Sequence, residues 1–67
     1  MHNADTIFEN DRVQLRKECR GEATKPEQYT GTTMEGERIE GEWCFRVRFD
    51  DGGEDNAAES ELEHVPV

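Results

Sequence analysis

The stretch Trp43-Cys44-Phe45-Arg46-Val47-Arg48-Phe49 carries an aromatic or aliphatic residue at every odd position and Cys or Arg at every even one. Successive side chains on a β-strand point to opposite faces, so this alternation commits the segment to a strand with one face in a core. A helix would spread the same residues around its circumference. The Asp50-Asp51-Gly52-Gly53 that follows reads as a tight turn, its glycines free to adopt positive φ. The best-defined element is therefore one arm of a hairpin.

Weaker signals of the same kind flank it. In Arg12-Val13-Gln14-Leu15-Arg16-Lys17, Val13 and Leu15 alternate with polar residues and predict a half-buried strand after the turn-like Glu9-Asn10-Asp11. Residues 18–27 contain Gly21, Pro26 and nothing large and apolar, which predicts a long surface connection. Tyr29 and three Thr residues favour a strand over 28–34, and Gly31 inside it marks a bulge or a close backbone approach. Glu35-Gly36-Glu37-Arg38 is expected to turn the chain, with Ile39 adding one buried contact before a second break at Glu40-Gly41-Glu42. Residues 54–58 would return antiparallel with only Ala57 and Ala58 as apolar residues. Leu62 and Val65, three apart, fit a helical or 3₁₀ turn leading into a short last strand. Ile7-Phe8 is expected to tuck against the domain, and the predicted core is Val13, Leu15, Tyr29, Phe45, Val47, Phe49, Leu62 and Val65.

A chain of 67 residues buries only about 60% of its unfolded surface, so one small domain is expected over residues 7–67 behind a flexible tail at 1–6. Mean hydropathy of -1.08 and a net charge of -9 approach the composition of disordered chains, but the apolar residues cluster with a two-residue period instead of scattering. No run approaches the about 20 apolar residues that a membrane helix needs. The first residues lack the basic and apolar regions of a signal peptide, which points to a cytoplasmic location. Charge is uneven. Residues 50–67 hold seven acids and neither Lys nor Arg, whereas residues 1–26 balance five acids with five bases. Such a surface repels phosphate backbones, which makes duplex nucleic acid an unexpected ligand and a cationic partner an expected one.

Cys19 and Cys44 stand 25 residues apart, with His2 and His64 near opposite ends. That spacing does not suit a zinc site, and the thiols are expected to be unpaired. Neither histidine lies in a firmly predicted element, Ser60 and Cys44 have no neighbouring base, and no Gly-rich phosphate loop precedes a helix. The chain therefore reads as a non-enzyme without cofactor or metal.

A strand that begins Asp11-Arg12-Val13, a long loop, Tyr29-Thr30-Gly31, and then Val47-Arg48-Phe49-Asp50-Asp51-Gly52 with Glu59-Ser60-Glu61-Leu62-Glu63 beyond it resemble the small Tudor-like, SH3-type barrels over residues 8–65. The resemblance implies an all-β fold: a five-stranded SH3-like barrel with a short helical turn before the last strand. It also implies a recognition module, of a kind often attached to nucleic-acid-processing enzymes or binding modified peptides. The chain departs from the pattern at residues 54–58, where relatives place larger apolar side chains. Methyl-lysine readers of this type use an aromatic cage. With Phe45 and Phe49 assigned to the core, Tyr29 and Trp43 remain for a partial cage with acids such as Glu42 or Asp50. Plasmid-borne dihydrofolate reductases share the barrel type, but their Val-Gln-Ile-Tyr stretch is replaced here by Glu54-Asp55-Asn56-Ala57.

The leading expectation is a small acidic interaction module that binds a basic peptide or protein surface through residues 50–63, with Trp43 as aromatic anchor. The expected partner-binding residues are Tyr29, Glu42, Trp43, Asp50, Asp51, Glu54 and Asp55. The alternative is a nucleic-acid mimic that inhibits a DNA-handling protein. Arg12, Arg16, Arg46 and Arg48 could instead form a basic stripe, but are expected to pair with the abundant carboxylates. The under-filled strand at 57–58 invites edge pairing, so a homodimer is an expected state beside the monomer.

Overall fold

The computed structural model describes residues 6–66; the tail expected at 1–6 lies outside them except for Thr6, which is half-buried. Five antiparallel strands, β1 (Arg12–Leu15), β2 (Thr30–Ile39), β3 (Glu42–Phe49), β4 (Glu54–Ala58) and β5 (Leu62–His64), form one sheet in the order β4-β3-β2-β1-β5. The expected helical turn before the last strand is a 3₁₀ turn over Glu59–Glu61. This arrangement is compatible with an SH3-like fold. The closed barrel is not formed, however: β4 and β5 are the two edges of an open sheet. β5 is only three residues long and pairs with β1 alone, and the 3₁₀ turn interrupts the chain between the edges.

The β3 alternation resolves as read, with Phe45 and Val47 buried while Arg46 and Arg48 face solvent. The chain does not turn at 35–38. β2 runs on to Ile39, and its ladder slips between Thr33 and Gly36, where three steps along β2 match two along β3, from Val47 to Phe45. That extra residue is a β-bulge, which bends the strand. Two residues with positive φ, Glu40 at 51° and Gly41 at 85°, make the reversal, as a two-residue hairpin demands. Ile39, expected to be buried, sits beside this tip and is 49% exposed.

Gly31 is the close approach that its position in a strand suggested. A Cβ there would lie 2.2 Å from the Arg48 carbonyl oxygen. Tyr29 does not open a strand; it ends a single helical turn, α1 (Pro26–Tyr29). Pro26 starts that turn where its missing N–H costs nothing, and Gln28 Oε1 accepts from the Thr24 and Lys25 amides, both at 3.0 Å. A 3₁₀ turn at Lys17–Cys19 also breaks the long connection.

The core comprises Ile7, Val13, Phe45, Val47, Ala57 and Leu62, with Leu15 and Phe49 packed against it. Tyr29 and Val65, placed in the core on sequence grounds, are only half-buried. Ala57 lies cross-strand from Phe45, so a methyl group faces the ring and the strand that looked under-filled is matched to its neighbour. Thr33 is fully buried. Its hydroxyl donates to the Phe8 carbonyl at 2.6 Å and accepts from the Asp11 amide at 2.8 Å, fastening the segment before β1 across β2.

Candidate functional site

The residues ahead of β1 cross the open end of the sheet and wall a cleft there. Ile7 is buried, its N–H donating to Glu59 Oε2 at 3.2 Å, and the Phe8 N–H donates to Asp11 Oδ2 at 2.8 Å. Glu9 Oε2 accepts from the Gly36 amide at 2.8 Å. With Ile7 pinned inward, Phe8 is forced outward and is 61% exposed. Across from it, Trp43 shares the inward face of β3 with Phe45 but lies beyond the core, 44% exposed and stacked on the Phe45 ring with centroids 6.3 Å apart.

These residues bound a cleft of about 590 Å³ lined by Thr6, Ile7, Phe8, Glu9, Asn10, Gly36, Trp43, Phe45 and Glu59. Its floor is aromatic and aliphatic. Among the described residues, the ionisable groups in its lining are two carboxylates, Glu9 and Glu59. An apolar trough with acids at the rim suits a side chain with a hydrocarbon stem and a cationic head.

The residues expected to accompany Trp43 are distributed differently. Glu42 adjoins it at the start of β3. Asp50 and Asp51 lie past the other end of that strand, Asp50 about 24 Å away at a rise near 3.4 Å per residue. Tyr29 belongs to this far end as well, since the Asp50 amide donates to the Thr30 carbonyl and the Asp51 amide to the Glu27 carbonyl. Tyr29 and Trp43 are therefore not brought together, and the partial cage of those two rings does not form. Instead, the Arg20 guanidinium covers the Tyr29 ring at 3.8 Å from its centroid.

Most of the acids at the Asp50 end already hold cations. Arg12 donates from both Nη atoms to the two Asp50 carboxylate oxygens at 2.8 Å, and this hydrogen bonding holds the Asp50 carboxyl below its ordinary range. Glu54 accepts from Arg46 at 2.8 Å and from Arg48 at 2.9 Å, which depresses its pKa in turn. Arg16 lies 3.7 Å from Glu63. The arginines thus pair with carboxylates as expected. Asp51 Oδ1 accepts from the Gly53 amide within the turn, and Asp55 Oδ1 from the Asn56 amide on β4.

A second groove of about 460 Å³ lies on the outer face, lined by residues of β2, β3, β4 and the following turn, among them Glu37, Cys44, Arg46 and Glu61. Cys44 and Cys19 are both free thiols. Among the described residues no group of three His, Cys, Asp or Glu side chains is placed to hold a metal ion, and no helix is long and apolar enough to cross a membrane.

Sequence reasoning singled out Trp43 but missed Phe8, Glu9 and Glu59 as its neighbours. The exposed half of the Ile7-Phe8 pair was the available signal. No protein family, curated protein or solved structure matches this chain.

Proposed function

We propose that the protein is a small acidic, non-catalytic interaction module of SH3-like build. It binds a basic peptide or protein surface by seating a lysine or arginine side chain in the Phe8–Trp43 cleft. The observation that supports this most directly is the coincidence of the two most exposed aromatics, Phe8 and Trp43, with a lining whose ionisable groups, among the described residues, are the carboxylates Glu9 and Glu59. Buried aromatic anchors supply much of the energy of interfaces. The surrounding charge of -9 accelerates encounter with a cation and makes it salt-dependent. Asp50 and Glu54, expected as recognition residues, are paired with Arg12, Arg46 and Arg48, so the reading rests on the cleft.

The test is Trp43 fluorescence during titration with a Lys/Arg-rich peptide at low and high ionic strength, with duplex DNA as a parallel ligand. The expected result is a shift with the peptide alone, weakened by salt and lost in Phe8→Ala. Binding of the duplex but not the peptide would transfer the function to the arginine face. Competition with DNA for a DNA-handling protein, without peptide binding, would favour the mimic.

A further inference from the structure

β4 is an edge of an open sheet, and an open edge offers unpaired amides to any passing strand. The Phe49 amide bonds the Gly53 carbonyl at 2.7 Å, which fixes the alternation of the β3–β4 ladder. Asp55 and Ala57, opposite Val47 and Phe45, direct their backbone groups to β3. Glu54, Asn56 and Ala58 direct theirs to the open side. Two of those three outward amides are already occupied by carboxylates. Asn56 N–H donates to Asp55 Oδ1 at 2.8 Å, and Ala58 N–H donates to Glu61 Oε1 at 2.9 Å.

We propose that Asp55 and Glu61 lock this edge against a second copy of the chain, and that β4 is otherwise built to pair with itself, antiparallel about Asn56. In that register Asp55 faces Ala57 of the second copy and Glu54 faces Ala58, so no two acids stand opposite each other. The three outward-directed residues of each strand form the hydrogen-bonded pairs. Sliding the strands by one pair sets Asp55 against Asp55 in one direction and against Glu59 in the other, so charge selects a single register. Glu54 is compatible with this approach because its carboxylate is held by Arg46 and Arg48 on its own chain. The pairing invited by the alanines thus requires the two carboxylates to release the amides first.

Sedimentation equilibrium of the full chain tests the lock. The unmutated protein should remain at 7.7 kDa up to millimolar concentration, and Asp55→Ala/Glu61→Ala should double in mass. Adding Asn56→Pro to that variant should restore the monomer, because the proline removes an outward donor without touching the ladder to β3. A folded double variant that stays monomeric overturns the proposal, as does a proline-bearing variant that stays dimeric. Hydrogen exchange on the unmutated protein gives a second reading, independent of whether the double variant folds. The Asn56 and Ala58 amides should exchange at least tenfold more slowly than open amides, and each should be released by the substitution of its own acid. Exchange of both at the unprotected rate also overturns the proposal.

Discussion

The Phe45 ring lies against the backbone of Gly36: a Cβ at position 36 would sit 2.6 Å from the ring Cε1 and 2.9 Å from Cδ1. Phe45 is buried in the core and cannot retreat, so a side chain at 36 forces the ring, and Trp43 stacked on it, to move. Gly36→Ala should cost about 1–3 kcal/mol, as overpacking does, and should shift Trp43 emission in the folded state. Gly31→Ala should cost more. There the obstacle is the Arg48 carbonyl at 2.2 Å, a backbone atom whose displacement opens the β2–β3 ladder. Urea denaturation of both variants checks the order; a Gly31→Ala protein as stable as the unmutated chain would contradict it.

Thr33→Val preserves shape while removing a buried hydroxyl, leaving the Phe8 carbonyl and the Asp11 amide without that partner. The expected loss is about 1–3 kcal/mol, accompanied by faster hydrogen exchange around residues 7–11, since this hydroxyl holds the segment that walls the cleft.

The dependence on pH follows from Asp50 and Glu54, both held below the ordinary carboxylate range by their arginine partners. A carboxyl with a depressed folded pKa favours the folded state while ionised. Its contribution is therefore complete above the unfolded value near pH 4 and is lost as pH falls through the lower folded value. Asp50→Asn and Glu54→Gln should each flatten the acid limb of a Tm-against-pH curve below about pH 4. The pairs are exposed, so the effect should be small and should shrink with salt.

The strands with strict alternation were legible in the sequence because burial on one face writes itself as period two. β3 and the inward Val13 follow that rule, and the turn at residues 50–53 was legible from its glycines, Gly52 adopting a φ of 96°. Gly31 was legible as either a bulge or a close approach because a glycine among threonines marks a place where a side chain does not fit, and the Arg48 backbone against it decides for the second. Gly36 misled for the complementary reason: its missing side chain serves a ring nine residues away, and locally it looks like a turn. Ala57 looked like a deficit because its size is set by Phe45 across the ladder. The cleft was half legible. Trp43 stood out as the single Trp, but Phe8 and Glu59 reach it only through the crossing of the segment before β1, a tertiary event with no periodic signature. The pairing of Arg12 with Asp50 likewise joins strands that are not neighbours, so the sequence foretold ion pairs without naming partners.

Backbone chemical shifts recorded while a Lys/Arg-rich peptide is added test the proposed cleft most directly. Perturbations should concentrate at residues 7–10, Gly36, Trp43 and Glu59, and Trp43→Ala should weaken binding more than Asp50→Asn or Glu54→Gln. Perturbations confined to Arg46, Arg48 and Glu54, with the Trp43 indole signal unmoved, would contradict a recognition site in the Phe8–Trp43 cleft.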